Sequence, residues 1–315
     1  MDFQPLGTTG ITSSVIGIGC GGPSRLGLSY GGSEEAAEAV VRRALDEGVT
    51  FIDTAEAYGT EEVVGRAIST VPRESVVLST KISRWDALDA AGIEAAVDER
   101  LRLLQTDYLD ICHLHAATIK NYDRASGEAY EGLVRAREAG KVRLLGVTEM
   151  FNHDPGHEML ARAVPSGLWD VIMVGFNMIN QSARDRVLRP AIEHGVAVLD
   201  MFAVRLALSR HERLVEVVAE LLARGEVDRG VLEQCGGTPE DPLGWVVGET
   251  DASTLVEAAY RFVRHEDGIH VTLSGSGNVD HMVENIRSVQ RPPLDPAVVS
   301  KLKRLFADVD SVTAQ

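Results

Sequence analysis

Residues 49–81, VTFIDTAEAYGTEEVVGRAISTVPRESVVLSTK, decide the fold. The runs 49–53 and 76–80 are short, apolar and rich in β-branched residues, as in buried parallel strands. Between them, residues 60–69 have the apolar spacing of an amphipathic helix that packs on one face. A strand, a helix and a second strand in this order predict a βαβ unit.

The same alternation extends over most of the chain. Further strands are predicted at residues 15–19, 108–113, 142–147, 171–175, 196–199 and 269–273. Further helices are predicted at about residues 33–47, 90–104, 124–140, 157–163, 182–194, 253–265 and 278–290. Eight strands that alternate with helices predict an α/β fold, a (β/α)8 TIM barrel. Because no linker or change of composition divides the chain, residues 1–315 are predicted to form a single domain.

One segment departs from this alternation. Residues 208–251, after the predicted seventh strand, contain a charged helical stretch (213–224) and then the run CGGTPEDP (235–242), which predicts a loop. We interpret the segment as an insertion that enlarges the loop after strand 7. Such a loop lies at the mouth of a barrel, where lids are common.

The composition argues against several classes of protein. With 31 Lys and Arg against 47 Asp and Glu, the net charge is −16, and neither nucleic acid nor an anionic membrane is expected as a partner. No apolar run approaches the ~20 residues that cross a bilayer, and the N-terminus has no signal-peptide pattern. The three cysteines contain no CxxC motif and predict no disulfide framework. We therefore expect a cytoplasmic protein.

Residues 17–22, GIGCGG, raise the alternative of a Rossmann fold, because they match GxGxxG after a strand. In that motif a helix begins at the third glycine, whereas here Pro23 follows at once and no helix is predicted before about Ser33. The barrel is therefore favoured. Gly21 is still expected to lie in a loop beside a ligand.

Consecutive strands bring reactive side chains to one rim of the predicted barrel. Asp53 ends the second strand and precedes Tyr58, Lys81 follows the third strand, and His115 follows the fourth. The ordinary pKa of tyrosine, ~10, is high for proton exchange, but a nearby ammonium favours the phenolate. Tyr58, supported by Lys81 and Asp53, is therefore expected to act as an acid/base, and His115 to orient a substrate oxygen. This set suits protonation of the alkoxide formed when a hydride reduces a carbonyl.

Two histidine pairs have spacings that metal ligands can adopt, and neither is interpreted as a metal site. His113 and His115 share one face of a strand, but no further ligand is apparent. His113 is expected to line the barrel interior below His115. His153 and His157 lie four residues apart, but Pro155 would break a helix between them.

These motifs resemble those of the aldo-keto reductase superfamily. The resemblance rests on residues 51–59 (FIDTAEAYG), 79–81 (STK), 106–110 (TDYLD) running to His115, 140–143 (GKVR) and 146–148 (GVT), and it spans about residues 6–290 apart from the insertion. It implies a (β/α)8 barrel with an N-terminal hairpin plug and NADPH-dependent carbonyl reduction. It also implies a catalytic tetrad with Tyr58 as general acid/base: Asp53, Tyr58, Lys81 and His115.

The resemblance further implies a set of cofactor contacts. The loop and helix after the last strand would hold the nucleotide through Ser274, Gly275, Ser276, Gly277, Asn278, Glu284 and Asn285. Thr148 and Glu149 stand where relatives hold the carboxamide, Met173 stands where glutamine is usual, and Met201 or Phe202 replaces the aromatic ring under the nicotinamide. Relatives commonly have a cation for the 2′-phosphate where this chain has Gly277 and Asn278. The resemblance therefore implies NADP(H), and the absence of that cation makes NAD(H) a serious alternative.

Aromatic residues on the predicted rim loops could shape an apolar substrate pocket: Tyr30, Trp85 and Phe151. The expected reaction reduces an aldehyde or ketone to an alcohol, or oxidises a sugar or alcohol. Two alternatives stay open, a non-catalytic nicotinamide-binding regulatory subunit and a Schiff-base lyase or aldolase barrel that uses Lys81.

Overall fold

The computed structural model describes residues 1–315, and its centre is a closed ring of eight parallel strands. The chain begins with an antiparallel pair, β1 (Phe3–Pro5) and β2 (Thr12–Ser14). The barrel strands are β3 (Ile16–Gly19), β4 (Phe51–Asp53), β5 (Val77–Ile82), β6 (Leu109–Ala117), β7 (Val142–Glu149), β8 (Val171–Gly175), β9 (Ala197–Met201) and β10 (Val271–Ser274). Strand β10 pairs with β3 and closes the ring. The predicted barrel and the implied N-terminal hairpin are both confirmed.

The helices follow the strands in the predicted alternation. They are α1 (Glu34–Asp46), α2 (Glu61–Ile68), α3 (Ala90–Leu104), α4 (Tyr122–Arg124), α5 (Tyr130–Glu138), α6 (Glu158–Ala163), α7 (Arg189–His194), α8 (Leu206–Ser209), α9 (His211–Arg224), α10 (Arg229–Cys235), α11 (Gly244–Gly248), α12 (Leu255–Arg264), α13 (Val279–Val289) and α14 (Pro296–Leu305). The prediction for α3 is confirmed at both ends. None of the helices combines the length and the apolar character that a bilayer span requires.

Strand β6 is longer than predicted and continues through His115 to Ala117. Its ladder with β7 shifts register between Leu114 and Ala117 and then pairs Ala117 with Glu149. The end of this strand contains polar residues, so a prediction based on apolar runs ends the strand too early. The irregularity changes the direction of the backbone at the rim, as bulges commonly do next to functional sites.

Two predicted helices are interrupted by wider turns. The segment predicted at 124–140 contains a π-helical turn at Ala125–Ala129, inside which Gly127 leaves helical geometry, and α5 begins only at Tyr130. The segment predicted at 182–194 contains a π-helical turn just before α7, which has Pro190 in its first turn. Proline lacks the N–H that an α-helical bond to residue i−4 needs, which accounts for the second interruption.

The insertion is more helical than predicted. Helix α9 covers the predicted stretch 213–224, but α10 precedes the Gly/Pro run and α11 follows it. Buried Leu232, Leu243 and Trp245 attach this segment to the main core. Its fold therefore depends on tertiary contacts, which local Gly and Pro signals do not reveal. Helix α14 was also absent from the prediction, although Asp295 and Pro296 provide a helix-start signal.

The hairpin fills the end of the barrel at which the strands begin. Leu6 and Ile11, between β1 and β2, join the interior side chains Phe51, Val77, Ile111, Leu144, Val171, Met173, Ala197, Leu199 and Val271. The backbone N–H of Thr8 donates to the Gly195 carbonyl at 3.0 Å, and the Gln4 amide donates to the Ile269 carbonyl at 3.2 Å. The plug leaves only the opposite end, at which the strands finish, open to ligands.

Leu6→Ala should lower the free energy of unfolding by about 2–5 kcal/mol, because it removes a fully buried side chain from this interior cluster. Phe3→Ala is the matched control on the same hairpin, since the Phe3 side chain is 52% exposed and should contribute much less. Denaturant unfolding of both variants measures the difference. Equal losses would contradict the role of the hairpin as a plug.

Candidate active site

The ends of β4 and β5 bring a carboxylate and an ammonium together inside the barrel. The ladder pairs Asp53 with Ser79, two residues before Lys81. Lys81 Nζ lies 2.5 Å from Asp53 Oδ2 and donates to the Thr54 carbonyl at 2.9 Å, while Ser79 Oγ donates to Asp53 Oδ1 at 2.9 Å. Both charged side chains are buried. The charges are therefore balanced by each other and by neighbouring polar groups rather than by water.

Tyr58 stands over this ion pair. It ends a short 3-10 turn that follows β4, and Gly59 leaves the turn with a φ of 65°. Lys81 Nζ is 5.0 Å from the centroid of the Tyr58 ring. A Cβ at Gly21 would lie 2.4 Å from the ring, so this glycine is the residue that admits Tyr58 to its position. The ring and the glycine together form one wall of a cavity.

Burial and charge set the protonation of Tyr58 and Lys81. Burial opposes the Lys81 ammonium, but Asp53 and Tyr58 outweigh it and raise the pKa of Lys81. Burial also raises the pKa of Tyr58, and Lys81 offsets only part of that effect. Lys81 thus favours the phenolate, but the effect of burial on the Tyr58 pKa is larger. At neutral pH Tyr58 is a phenol with a proton to donate.

His115 stands edge-on to Tyr58, with ring centroids 5.5 Å apart and an interplanar angle of 88°. Its Nδ1 lies 3.0 Å from Ser83 Oγ, and its backbone carbonyl accepts a hydrogen bond from Trp85 Nε1 at 2.8 Å. Burial, and then the charge of Lys81, lower the pKa of His115 to about 3. The imidazole is therefore neutral at physiological pH.

His113 lies deeper in the barrel than His115 and is fully buried. Its ring occupies the space left by Gly146, where a Cβ would lie 2.2 Å from the His113 Nδ1. Burial lowers the pKa of His113 well below its ordinary range, and Lys81 and His115 act in the same direction. Two neutral imidazoles thus lie near the charged ammonium.

A cavity of about 1000 Å³ begins at Tyr58 and Asp53 and reaches α13. Met173 lies on its wall together with seven of the predicted cofactor residues: Gly21, Met201, Phe202, Gly275, Ser276, Glu284 and Asn285. This volume is at the upper end of the range for small-molecule and cofactor sites. The cavity is thus large enough for an extended ligand with one end at Tyr58.

The other five predicted cofactor residues do not border this cavity: Thr148, Glu149, Ser274, Gly277 and Asn278. The Ser274 hydroxyl accepts from Asn285 Nδ2 at 3.0 Å and so orients a residue of the wall. Gly277 packs against Gly27, since a Cβ on Gly277 would lie 2.4 Å from the Gly27 backbone. Asn278 caps α13 by accepting the His281 N–H.

Thr148 and Glu149 support the rim loops. The Thr148 hydroxyl accepts from the Ala116 N–H at 2.7 Å, and Glu149 accepts from the Gly175 N–H at 2.8 Å. The fully buried side chain of Glu149 also lies 2.9 Å from His157 Nδ1. The hydrogen bonds of Thr148 and Glu149 are therefore made to other residues of the protein and not towards the cavity.

None of the three predicted substrate residues lines the cavity. Tyr30 is 75% exposed, whereas Trp85 and Phe151 are each 1% exposed. The Phe151 ring stacks on His157 with centroids 5.3 Å apart. Trp85 and Phe151 thus pack behind other residues and do not contact the cavity. Which aromatic residues line the cavity depends on loop conformation, which the sequence pattern does not show.

The polar end of the cavity is the part that sequence reasoning missed. His281 and Ser288 line it and share a face of α13 with Glu284 and Asn285, at the spacing i, i+3, i+4, i+7. Arg287 and Arg291 also line it, and Arg291 is paired with Asp251 at 3.0 Å. Arg287 has no carboxylate within ion-pair distance. The helical spacing was the available signal for this face.

Comparison with known proteins agrees with this architecture. Residues 16–307 match the model of the aldo/keto reductase family. Over an alignment of 330 residues, covering 99% of this chain and 97% of the relative, the chain is 32% identical to L-galactose dehydrogenase of Arabidopsis thaliana. The holo form of an aldo-keto reductase from Bacillus halodurans gives a TM-score of 0.71 at 23% identity, covering 97% and 96% of the two chains. An aldo/keto reductase from Klebsiella pneumoniae, solved with NADP and acetate, gives 0.68 at 23% identity, covering 95% and 93%.

The neutral state of His115 can be tested by titration. Because its pKa is lowered to about 3, the ring should show no protonation step between about pH 5 and 8, where an ordinary histidine titrates near 6.5. Histidine-selective NMR measures this, with a His115→Gln variant to assign the signal. In denaturant the same ring should regain an ordinary titration. A step near pH 6.5 in the folded protein would contradict the assignment.

Proposed function

The chain belongs to the aldo/keto reductase family and is an NAD(P)-dependent oxidoreductase, and from this premise we propose that it interconverts an aldehyde or ketone with its alcohol, using Tyr58 as general acid/base. The observation that carries the proposal is the placement of Tyr58 on the cavity wall beside the buried Lys81–Asp53 pair. A proton donor at one end of a large cavity is what hydride reduction of a carbonyl requires from the protein.

The cavity has features that fit a nicotinamide dinucleotide. Glycines on its wall leave the backbone open to a ligand; at Gly22, for example, no protein atom lies within 4 Å of the place where a Cβ would stand. At its far end Glu284 and Asn285 present a carboxylate and an amide that suit a base and a ribose. When bound, such a cofactor supplies the hydride.

The residues of the catalytic end divide the proton chemistry between them. In the reducing direction Tyr58 donates its phenolic proton to the substrate oxygen as that oxygen gains charge. Lys81 then stabilises the phenolate, and Asp53 keeps the ammonium in place. His115 does not line the cavity but stands edge-on to Tyr58, and from there it would orient the same oxygen. In the oxidising direction the Tyr58 phenolate accepts the alcohol proton, so this direction should gain rate as the pH rises towards the raised pKa of Tyr58.

The geometry disfavours a Schiff base on Lys81. Its Nζ is fully buried, bonded to Asp53 and to the Thr54 carbonyl, and does not border the cavity. The raised pKa of Lys81 also keeps the amine protonated, and an ammonium has no lone pair with which to attack a carbonyl.

A sugar is the alcohol that the comparisons favour. The 32% identity to an L-galactose dehydrogenase extends over nearly the whole of both chains and supports oxidation of a monosaccharide or a similar polyol. A panel of aldoses, with each nucleotide in turn, tests this class. Turnover of simple apolar aldehydes without turnover of any sugar would contradict it.

Arg287 supports use of NADP(H), because it is an unpaired cation on the wall at the nucleotide end. Glu257 and Glu284 line the same cavity; Glu257 is paired with Arg261 and Arg291, so Glu284 is the carboxylate that repels a phosphate. Neither Gly277 nor Asn278 supplies the cation that relatives commonly carry. We therefore propose that both nucleotides bind and that Arg287 supplies the cationic contact for the 2′-phosphate.

Tyr58→Phe should lower kcat by at least 100-fold in both directions, because it removes the proton donor and leaves the ring in place. Nucleotide binding, followed by protein fluorescence, should change little. Tyr130→Phe is the matched control, since Tyr130 lies on α5 and packs against Trp169 with ring centroids 5.4 Å apart. Full turnover by the Tyr58 variant would refute the proposed role.

Arg287→Ala should weaken NADPH binding by roughly five- to tenfold, the loss of one charge-assisted contact, and leave NADH binding unchanged. Arg189→Ala controls for the change in net charge, because Arg189 is exposed, pairs with Asp185 and does not line the cavity. Parallel titrations of the three proteins give the answer. Equal losses for both nucleotides would show that Arg287 does not sense the 2′-phosphate.

A further inference from the structure

Ser83 lies at the rim beside His115 and beside the turn that carries Tyr58. Its Oγ lies 3.0 Å from His115 Nδ1 and accepts a hydrogen bond from the Ala57 N–H at 3.2 Å. Its own backbone N–H donates to Glu56 Oε2 at 2.8 Å. Because Ala57 immediately precedes Tyr58, one hydroxyl connects the turn that carries the phenol with the ring of His115.

The hydrogen bonds of Ser83 favour the hydroxyl as the donor to His115 Nδ1. A serine hydroxyl has one proton and two lone pairs. The Ala57 N–H uses one lone pair, and His115 Nδ1 is the only acceptor that the structure places within reach of the hydroxyl proton. Donation to Nδ1 therefore gives the hydroxyl proton its one acceptor within the protein, and Nδ1 then carries no proton.

The protonation of Nδ1 decides whether His115 Nε2 can donate a hydrogen bond to the substrate. A neutral imidazole carries a single N–H, so an unprotonated Nδ1 requires a protonated Nε2. That tautomer can donate a hydrogen bond from Nε2 to a carbonyl or alkoxide oxygen. The opposite tautomer would direct a lone pair from Nε2 and repel the same oxygen.

We propose that Ser83 is a positioning residue that fixes His115 as the Nε2–H tautomer. His115 can then donate to the oxygen that Tyr58 protonates. The catalytic meaning of this role rests on the proposed carbonyl chemistry, whereas the tautomer itself does not.

The surroundings of His115 are consistent with a fixed donor. Trp85 Nε1 donates to the His115 backbone carbonyl at 2.8 Å and anchors the strand end there. The Tyr58 ring packs against the imidazole edge-on. Of the neighbours that touch the ring, Ser83 is the one that hydrogen-bonds to it, so the tautomer depends on this hydroxyl.

The tautomer can be observed directly by long-range proton–nitrogen NMR of histidine-labelled protein, with His115→Gln to assign the signals. In the unaltered protein Nδ1 should show the shift of an unprotonated nitrogen and Nε2 that of a protonated one. Ser83→Ala should give a mixture of both tautomers. Ser83→Thr keeps the hydroxyl and should restore the single form.

Steady-state kinetics supply the second readout. Ser83→Ala should lower kcat by about tenfold, the effect of one lost orienting hydrogen bond, and leave nucleotide affinity unchanged. Ser83→Thr should stay within about threefold of the unaltered enzyme. Ser69→Ala is the matched control, because the Ser69 hydroxyl also donates one hydrogen bond, to the Arg66 carbonyl at 2.8 Å, and Ser69 does not line the cavity.

The outcomes separate this proposal from the proposed function. A protonated Nδ1 in the unaltered protein, or an unchanged tautomer in Ser83→Ala, would overturn the role of Ser83 whatever the activity. A tautomer that follows Ser83 in a protein without nicotinamide-dependent turnover would instead refute the proposed function alone. If Ser83→Ala reduces the folded fraction, Ser83→Cys gives the same comparison, since a thiol of similar size donates only weakly.

Discussion

The ion pair between Lys81 and Asp53 is the interaction on which the rest of the site depends. Each charge loses several kcal/mol of hydration when it leaves water. The 2.5 Å contact between the two groups, the Thr54 carbonyl and the Ser79 hydroxyl offset this loss. Because Asp53 and Lys81 belong to neighbouring strands, the pair forms only when β4 and β5 are in register. The closed barrel is therefore a condition for the chemistry as well as for stability.

The same burial separates the roles of the two candidate acids. His115, with its pKa lowered to about 3, has no spare proton at neutral pH, whereas the raised pKa of Tyr58 keeps the phenol protonated. Environments that drive two pKa values apart assign distinct roles to the groups. Tyr58 can supply a proton and neutral His115 can supply a hydrogen bond. In the proposed reaction Lys81, which stays charged, stabilises the anion that remains.

The sequence predicted the barrel and the common position of Asp53, Tyr58 and Lys81 for one reason, whereas the hairpin was implied only by the family resemblance. Parallel strands of a barrel all end at the same rim, so residues at strand ends are neighbours whatever the loops do. The assignment of catalytic roles to these residues stays a proposal. Trp85 shows where prediction stops: it follows the same strand as Lys81, yet it packs beneath His115 instead of lining the cavity.

Side-chain directions beyond the strand ends depend on backbone conformations that local patterns do not show. Phe202, on the cavity wall, has a φ of 77°, and Ala116, beyond His115, has a φ of 56°. Left-handed residues other than glycine are uncommon and are held by tertiary contacts. Helices α10 and α11 of the insertion were missed for a related reason, because contacts between buried Trp245 and the core outweigh the local Gly and Pro signals.

Phe202 shows how the catalytic end is kept in shape. The Arg205 guanidinium stacks on its ring at 4.0 Å and donates to Asn152 and Gln315, with only 6% of the residue exposed. Asp200, fully buried on the same strand end, accepts from the Phe176 N–H at 3.0 Å. Groups fixed before a ligand arrives reduce the ordering cost of binding.

The end of the cavity proposed to bind the nucleotide has exposed side chains with few partners, whereas the end at Tyr58 has a buried polar network. Arg287 and His281 are exposed side chains on one helix, with few partners to keep in place. Substitution of exposed residues usually costs little stability, whereas a change in a buried polar network leaves groups unpaired. On the proposed assignment of this end to the nucleotide, cofactor preference can therefore change through a few positions on α13. The proton chemistry cannot change in this way, because Lys81, Asp53 and the residues around them depend on one another.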